Sequence, residues 1–550
     1  MNKIIKDVGM GAFCLLSSLV LGFVFFQLPA WDFYSYHYYN GWAFLNDRID
    51  IDNMPSMFRT FFNPVLDALL YFFINNFNEQ PLIFMLLSTT QFAILMFLAY
   101  KLDEFMLRKC GIKDMLSLLF CLVSAGLSPV IVLCSFRFGY TDVLVAILVV
   151  AGLLIYVKNI FANHSGRLFC LLAAAFLIGL AFGLKYTSIA FAAAVMLTSV
   201  CLCQKVEKPI KTLMYMVVGL LVGFLISDGF WMLTLYQKFQ NPFFPYFNNI
   251  FKSPMAEYDA VLGMDFEHLR PKNAWEFVFY PLKILWAKGV FVGIEGEYFD
   301  LKIPVAFFLV LALFVTLKLG QRKILRLRAD NSEYFYLTLF LMVFSYYINL
   351  LLFANIRYII PLFILAPVVI CLFLHLFIPN RKVYCLSILL VLAAVCATYN
   401  YKGLNIRKWQ ASSKVIDIEN MKFEDNSTVL LGFMTSFIVP NQNKNVKYIG
   451  YSMHSDLAER GFWNAIYKNK YFINKYNENV IKESVANSKN VYFVYSFGEM
   501  GWRLPDLGLY QESLERYSGK NVQLENCKDI KYEVYGNSSP GSYIFACKIK

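Results

Sequence analysis

The chain has 550 residues, of which 58% are hydrophobic, 18% are aromatic and only 16% are charged. Roughly a quarter of the residues of soluble globular proteins are charged, so this composition excludes a soluble globular protein and indicates a polytopic membrane protein. The formal charge of +12 comes from basic residues dispersed among short loops. That dispersion is typical of topology signals, and it argues against nucleic acid as a partner.

Apolar stretches of roughly 17 to 25 residues, long enough to cross a bilayer, recur through the first 400 residues and then stop. We predict eleven spans, at about 8–28, 81–100, 115–134, 141–157, 168–184, 186–203, 212–233, 303–320, 334–353, 358–378 and 383–400. The first is expected to be an uncleaved helix, because no small-residue cleavage site follows it in good position.

Two shorter apolar stretches are predicted to lie in the membrane interface. Residues 61–74 include Asn63, Pro64 and Asp67, and they are too few to cross a bilayer, so an interfacial or re-entrant helix is expected. Residues 286–294 are also too few to cross and have Gly and charged residues on both sides. We interpret them in the same way.

The distribution of basic residues predicts the orientation of the chain. With a cytoplasmic N-terminus, the cytoplasmic segments hold eighteen Lys or Arg, against five in the short outside loops. The five are Arg48, Arg59, Arg137, Lys185 and Arg357. This bias follows the positive-inside rule and places the C-terminal tail outside. The long segment 235–302 falls on the same side.

The tail, residues 401–550, is predicted to be a small external α/β domain. Strand-like runs occupy 428–433 and 491–495, with a helix at about 456–486 between them. Cys527 and Cys547 are the only cysteines in the tail, and they flank alternating runs at 532–535 and 543–549. This pattern favours a hairpin closed by a disulfide. The alternative is a pair of reduced, buried thiols.

An acidic residue lies among aromatic side chains directly after the first span. Asp32 follows Trp31 and precedes a run that contains Tyr34, Tyr36 and His37. Aromatic rings alone are ordinary interface anchors, but a carboxylate at the edge of hydrocarbon is costly unless it faces a cavity or has a partner. Asp32 is therefore the first candidate for chemistry.

Three more outward turns carry charged or polar side chains at a similar depth. They contribute Arg137, Tyr140 and Asp142; Lys185 and Tyr186; and Asn355, Arg357 and Tyr358. Each also has an ordinary interpretation. Lys185 or Arg357 could snorkel to water, and Asp142 could be the first-turn acid of its helix. His37 could be a hydrogen-bonded structural histidine. Taken together, two acids and several cations predict one cavity on one membrane face.

The chemistry of such a cavity suggests a division of roles. The chain has no HExxH, paired CxxC, phosphate-binding glycine loop or GxSxG motif, which argues against a metal-histidine or triad enzyme. Lys185, Arg357 and Arg137 could neutralise the phosphate of a lipid. Asp32 could accept a proton from an attacking hydroxyl, while Asp142 could share that role or hold a divalent cation. The remaining candidates, which could bind substrate or tune the acids, are Tyr36, His37 and Tyr140.

The arrangement of spans, outward turns and acidic residues resembles that of the GT-C superfamily of membrane glycosyltransferases. These include the protein O-mannosyltransferases, the aminoarabinose transferases that act on lipid A, and the oligosaccharyltransferases. Similarity to bacterial members is carried by WDFYSYHYYNGWAFLNDR, FFNPVLDALLYF, GLKYTSIAF, NPFFPYFNNIFKSP and NIRYIIPLF. It covers roughly residues 1–400, which we therefore expect to be a transmembrane GT-C-like catalytic domain. The tail matches only in kind.

The resemblance implies an enzyme that transfers a sugar, with inversion, from a polyprenyl-phosphate donor to a glycan, lipid or protein on the outer face of a bacterial inner membrane. Asp32 and Asp142 match the family's two acidic positions. No Asp-x-Asp or Asp-Glu pair stands beside Asp32, and Asp142 is alone, so a divalent cation is not favoured as a cofactor and the metal site is unknown. The alternatives are a transporter or flippase of lipid-linked sugars, and a polysaccharide polymerase or ligase.

Overall fold

The structure is a computed structural model. It describes residues 2–26, 29, 32–255, 270–283, 300–318, 332–399, 414–432, 435–451, 475–498, 508, 511–512, 514–515, 521–534 and 542–550. Trp31, the predicted interfacial stretch 286–294 and the first part of the predicted tail helix lie outside the described residues. The described chain is mainly helical, and a mixed sheet forms near its C-terminal end.

Sixteen helices of the described chain precede the first strand. They are α1 Asn2–Phe25, α2 Tyr38–Leu45, α3 Val65–Phe77, α4 Pro81–Lys109, α5 Met115–Gly126, α6 Pro129–Phe136, α7 Asp142–Asn159, α8 Arg167–Leu184, α9 Ile189–Cys201, α10 Pro209–Phe239, α11 Asn248–Phe251, α12 Ala274–Lys283, α13 Lys302–Lys318, α14 Ser332–Leu352, α15 Ile360–Phe377 and α16 Arg381–Ala397. Short π-helical and 3₁₀ turns connect several of them.

Seven helices in the described residues are long and apolar enough to cross a membrane. They span Ile4–Phe25, Pro81–Lys109, Asp142–Asn159, Arg167–Leu184, Pro209–Phe239, Glu333–Leu352 and Ile356–Phe377. The bent pair α5 and α6 is an eighth if it forms one broken span. The chain is thus a polytopic membrane protein. The other three predicted spans correspond to α9, α13 and α16, which are shorter, so the number eleven stays a prediction.

The span that begins at Ile356 forms the centre of the helical bundle. In its most apolar 18-residue window 89% of the residues are buried, against 22% for α1 and 33% for α10. In a membrane protein the outer faces of helices contact lipid instead of water. The exposed apolar side chains of α1 and α10 are therefore suited to lipid contact, while α15 supplies the packed core.

Glycines bring the backbones of α8 and α10 into direct contact. A Cβ atom added at Gly179 would lie 2.3 Å from the carbonyl oxygen of Leu220, and one at Gly223 would lie 2.2 Å from that of Phe176. No larger side chain fits at either place without moving a helix. Small residues at such crossings are the usual way in which membrane helices pack closely.

A buried lysine bonds to a backbone carbonyl group at the place where α5 and α6 bend by 51°. The Nζ atom of Lys302 donates to the carbonyl oxygen of Ser124 at 2.6 Å and to Oδ2 of Asp300 at 2.8 Å. Ser128, at the start of α6, donates to the same Asp300 oxygen at 2.8 Å. Backbone groups without a helical partner must be satisfied inside a membrane bundle. This network fixes the bend that leads to the turn before α7.

The described part of the tail contains seven strands, the 3₁₀ turn Ser436–Asn441 and a longer helix. The strands are β1 Ile416–Ile418, β2 Thr428–Leu431, β3 Lys447–Gly450, β4 Val491–Gly498, β5 Leu524–Ile530, β6 Tyr532–Val534 and β7 Ser542–Ile549; the helix is α17 Lys475–Asn487. Five strands form a sheet in the order β3-β2-β4-β7-β5, and β1 pairs with β6. β2 is parallel to β3 and β4, whereas β7 is antiparallel to its neighbours.

The prediction of a hairpin at the end of the tail was wrong about which strands pair. Residues 532–534 pair with β1, not with β7, and the strand beside β7 is β5. A disulfide joins Cys527 on β5 to Cys547 on β7. The strand is interrupted at Lys531, so that the residues after it pair with β1 as β6, and the residues before it remain the partner of β7 as β5.

The tail packs on the loop after α1, which we define as residues 32–64 and which contains the short helix α2. Arg48 forms an ion pair with Asp52 at 2.6 Å and donates to the carbonyl oxygens of Lys444 and Val446 in the tail. Its guanidinium lies over the rings of Trp42 and Tyr448, at 5.2 and 5.7 Å. Such stacking and hydrogen bonding suit arginine better than lysine.

Backbone hydrogen bonds extend this contact along the edge of the sheet. Asn53 pairs with Ile449 of β3 in a parallel bridge, and its N–H and C=O bond to Tyr448 and Gly450 at 2.9 and 2.8 Å. The loop thus covers an edge strand that would otherwise expose unpaired backbone groups. The tail and the loop after α1 consequently lie on the same side of the helical bundle.

We expect Arg48→Ala to loosen the tail from this loop. The substitution leaves Asp52 buried without its cation, and breaking a buried pair in this way costs about 3–5 kcal/mol. Limited proteolysis of the detergent-solubilised chain, read by mass spectrometry, should show earlier cleavage between the helical bundle and the tail.

Arg108→Ala is the matched control for this test. Arg108 pairs with Glu104 within one helix and its side chain is 61% exposed, so its removal should change little. Equal protease resistance of wild type and Arg48→Ala would contradict the importance of the contact.

Candidate active site

Asp32 lies at the start of a π-helical turn, Phe33–His37, that leads into α2. Its carboxylate is buried, and Oδ2 accepts a hydrogen bond from Nη1 of Arg357 at 2.9 Å. Arg357 belongs to a 3₁₀ turn, Ile356–Ile359, just before α15. The side chain of Asn355 caps this turn by accepting from the Arg357 N–H at 2.9 Å. The cap fixes the backbone of the turn that carries Arg357.

Asp142 and Lys185 form a second ion pair. Asp142 is the first residue of α7, and Lys185 follows the last residue of α8. The Lys185 Nζ atom lies 2.6 Å from Oδ1 of Asp142. The other oxygen, Oδ2, is buried and has no hydrogen bond to any described residue. One acceptor position on Asp142 is therefore unused within this part of the chain.

The two ion pairs meet at one cleft with about 260 Å³ of empty space, including the part open to the outside. Its lining residues are Asp142, Val145, Ala146, Val149, Lys185, Thr187, Ser188, Phe191, Arg357, Tyr358, Ile360 and Pro361. The wall includes Arg357 but not Asp32, whose carboxylate is instead held by that arginine. Acids and cations from four separate turns thus converge.

Two tyrosine rings hold the cations in place. The Arg357 guanidinium lies 4.6 Å from the ring centre of Tyr140 and 5.8 Å from that of Tyr358. The Lys185 ammonium lies 5.4 Å from the same Tyr358 ring. Cations over aromatic faces gain electrostatic stabilisation, which grows when water is excluded. Tyr358 therefore brings both cations of the cleft to one ring.

The surrounding charges determine the protonation of Asp32. Burial raises the pKa of its carboxyl group, but the neighbouring Arg357 guanidinium lowers it. Smaller contributions from His37, Lys185 and Arg59 act in the same direction, and the resulting pKa is about 2. Asp32 is ionised at neutral pH and has little tendency to accept a proton while it is paired with Arg357.

A buried His–Asp pair lies behind this turn. Nδ1 of His37 is 2.5 Å from Oδ1 of Asp67 on α3, and both side chains are only 4% exposed. Gly41 allows the close approach, because a Cβ atom there would lie 2.1 Å from the Asp67 carbonyl oxygen. Burial also holds the pKa of the adjacent Tyr36 hydroxyl well above its usual value. His37 is thus oriented by an acid that we had not predicted as a site residue.

A second polar cluster ties the loop after α1 to α8 and α10. Asp228 accepts hydrogen bonds from the Tyr186 hydroxyl at 2.6 Å and from Nδ2 of Asn63 at 2.8 Å. The same Asn63 amide also donates to the carbonyl oxygens of Gly183 and Ser227. In the sequence, this cluster is indicated by Asn63 beside Pro64 and by Asp228 inside an apolar helix. The cluster fixes the turn that carries Lys185.

Arg137 does not line the cleft. The backbone is extended at this residue, directly after the end of α6, and the side chain influences Tyr34 electrostatically. Tyr34 packs against Phe437 of the tail. Arg137 is not among the residues that line the cleft, whereas Tyr140, three residues later, contacts Arg357.

The described residues contain no group of three or more His, Cys, Asp or Glu side chains arranged to hold a metal ion. Asp32 and Asp142 are paired with different cations. The carboxylates of the site are thus engaged with side-chain cations.

We expect the Asp32–Arg357 pair to make stability depend on acid pH. The folded pKa of Asp32, about 2, lies below the value of about 3.9 in unfolded chains. The pairing therefore stabilises the fold above about pH 4, and this contribution, about 2 kcal/mol, is lost as the pH falls toward 2. Thermal unfolding in detergent should show a difference between wild type and Asp32→Asn that is constant from pH 8 to 5 and shrinks below pH 4.

Asp50→Asn supplies the control, because Asp50 lies in the same loop with a side chain 74% exposed and pairs with Lys238 at the surface. Exposed pairs contribute little. A difference between wild type and Asp32→Asn that stays the same down to pH 3 would contradict the assigned pairing.

The chain was also compared with known proteins. No protein-family model matches it, and a search of the curated proteins finds no match to its sequence.

Proposed function

We propose that the protein is a GT-C-like membrane glycosyltransferase. It moves a sugar from a polyprenyl-phosphate donor to a glycan, lipid or protein acceptor at the outer face of a bacterial inner membrane. The observation that carries this proposal is the cleft where Asp142, Lys185 and Arg357 meet at the ends of apolar helices. Acids and cations together in one apolar setting are expensive, and the proposed reaction uses both.

The two cations suit a lipid-linked phosphate. Arg357 presents a planar fork of N–H donors, and Lys185 presents a compact positive charge on the same cleft wall. Fixed cations of this kind bind phosphate oxygens and stabilise a phosphate as it departs. The proposal assigns charge neutralisation to these side chains, so that it requires no divalent cation.

The apolar part of the cleft suits the lipid tail. Val145, Ala146 and Val149 lie along α7, and Phe191 and Ile360 come from α9 and α15. These side chains continue from the charged end of the cleft into the helical bundle. A soluble sugar nucleotide would gain nothing from such a wall, whereas a prenyl chain is favoured there by burial of apolar surface.

The reaction proposed for this site is a single displacement. The acceptor hydroxyl oxygen forms a bond to the anomeric carbon, and its proton passes to a carboxylate of the site. The bond between the anomeric carbon and the phosphate oxygen breaks, and its electron pair leaves with polyprenyl phosphate. Lys185 and Arg357 stabilise that anion. One displacement inverts the configuration of the sugar.

Of the two acids, Asp142 is better placed to receive the proton. Its side chain lines the cleft, and its Oδ2 has no hydrogen bond to any described residue. Asp32 is held against Arg357 and keeps a pKa of about 2. We therefore propose Asp142 as the base and Asp32 as the residue that positions Arg357.

The proposed orientation rests on two independent observations. Basic residues are concentrated in the loops assigned to the cytoplasm, as the positive-inside rule requires. The tail packs on the loop after α1 through Arg48 and Asn53. Both features agree with a cytoplasmic N-terminus, about eleven spans and an external C-terminal domain comprising residues 401–550.

We expect Asp142→Asn to reduce sugar transfer roughly a hundredfold or more, the usual scale for loss of a general base. Cells that lack the protein should be complemented with wild type or with the variant. Mass spectrometry of lipid-linked and surface glycans should then show one sugar missing from the acceptor and accumulation of the lipid-linked single-sugar donor.

Asp50→Asn, which changes an exposed acid, should restore the wild-type glycan profile. Normal transfer by Asp142→Asn would remove Asp142 as the base. Accumulation of an intact multi-sugar precursor in cells that lack the protein would instead support a flippase, polymerase or ligase and would contradict single-sugar transfer.

A further inference from the structure

Both cations assigned to the donor phosphate already have carboxylate partners in the protein. Arg357 is 2.9 Å from Asp32, and Lys185 is 2.6 Å from Asp142. The four side chains are between 3% and 17% exposed, so that water screens these pairs only weakly. A phosphate can form strong ion pairs with Arg357 and Lys185 only if their ion pairs with the carboxylates are weakened.

We propose, on the basis of the proposed function, that the donor phosphate exchanges with the two carboxylates and thereby switches on the base. Without donor, the Lys185 ammonium is hydrogen-bonded to Oδ1 of Asp142. With donor bound, Lys185 and Arg357 turn to the phosphate, and Asp142 is released to act on the acceptor. Donor binding must then precede proton transfer from the acceptor.

Unused hydrogen-bonding atoms support this exchange. Nε of Arg357 is buried and donates to no described residue, and Oδ2 of Asp142 is buried and accepts from none. Leaving such atoms unpaired costs free energy. One is a donor suited to a phosphate oxygen, and the other is an acceptor suited to a hydroxyl. The two substrates of the proposed reaction supply these two partners.

The tyrosine rings allow the cations to change partners without leaving the cleft. The guanidinium of Arg357 lies over Tyr140 and Tyr358, and the ammonium of Lys185 lies over Tyr358. These contacts do not depend on which anion accepts the hydrogen bonds. After Arg357 turns, Asp32 still has the charge of Arg59 and the imidazole of His37 nearby.

The exchange also keeps the charge of the site constant through the reaction. The donor phosphate is a diester with one negative charge, and polyprenyl phosphate is a monoester that gains up to one more. The acceptor proton neutralises one carboxylate in the same step. Lys185 and Arg357, which already face the phosphate, then balance its new charge. In a weakly screened site this balance avoids a large electrostatic cost.

The decisive experiment measures binding of a short-chain isoprenyl phosphate to the detergent-solubilised full chain by calorimetry. Asp32→Asn and Asp142→Asn should bind it about tenfold more tightly than wild type, since each removes a competing anion. Lys185→Gln and Arg357→Gln should bind it about tenfold more weakly, since each removes a charge-assisted partner. The uncharged isoprenol should distinguish none of these variants.

Melting measurements cover the case in which Asp32→Asn is unstable. This variant leaves Arg357 buried without an anion, so isoprenyl phosphate should raise its melting temperature more than that of wild type. Asp142→Asn gives a second, independent test, and Asp50→Asn should match wild type in both measurements. Acid variants that bind the phosphate no more tightly than wild type, with no larger thermal shift, would overturn the exchange.

The outcomes separate this inference from the proposed function. The proposed function itself would be contradicted if the wild-type protein bound no isoprenyl phosphate and cells with and without the protein had the same glycans. Wild-type protein that binds the lipid and transfers sugar, with acid variants that gain no affinity, would contradict only the exchange. If inorganic phosphate bound to the protein as tightly as the isoprenyl phosphate, the prenyl chain would contribute nothing to binding. That result would count against a lipid as the source of the phosphate.

Discussion

A charge at the edge of an apolar helical bundle requires a partner, and this constraint organises the described site. Asp32 is paired with Arg357, and Asp142 with Lys185. The four residues come from separate turns, so each ion pair also joins distant parts of the chain. Because water is largely excluded, each pair is difficult to break by removing one member. The same property makes the pairs responsive to an anion that can replace a carboxylate.

The loop after α1 connects this site to the tail. Its first turn carries Asp32, Tyr36 and His37, and its later part binds β3 through Asn53 and contacts the tail through Arg48. Ten residues after Asn53, Asn63 fastens the loop to α8 and α10. The loop is therefore attached at three places, and the tail and the cleft are held by one connected structure.

Much of the site could be predicted from residue type and topology alone. Asp32, Asp142, Lys185 and Arg357 all follow or precede apolar spans on one side, and the structure brings their side chains together. Asp67 was seen only as a reason to doubt a membrane span, because its partner His37 lies thirty residues earlier and no local pattern joins them. Arg137 has the same sequence signal as Arg357, but only Arg357 lines the cleft.

The strand pairing of the tail shows the corresponding limit for the fold. The two cysteines were correctly paired from their number and place, but the strands that they join depend on where the chain turns after Ile530. Long apolar helices were easier to predict, since their length is set by the bilayer. Three shorter helices, α9, α13 and α16, make the difference between eight and eleven spans. Composition alone does not distinguish a short span from an interfacial helix.

The contact between α8 and α10 has a mechanical consequence for the cleft. At Gly179 and Gly223 the two backbones touch without intervening side chains, and Asn63 bonds to Gly183 near the C-terminal end of α8 and to Ser227 of α10. Sliding one helix along the other would force carbonyl oxygens into Cα atoms. Lys185, at the end of α8, is therefore held by a rigid pair of helices. Any widening of the cleft therefore has to come from its other elements, such as the 3₁₀ turn before α15 that carries Arg357.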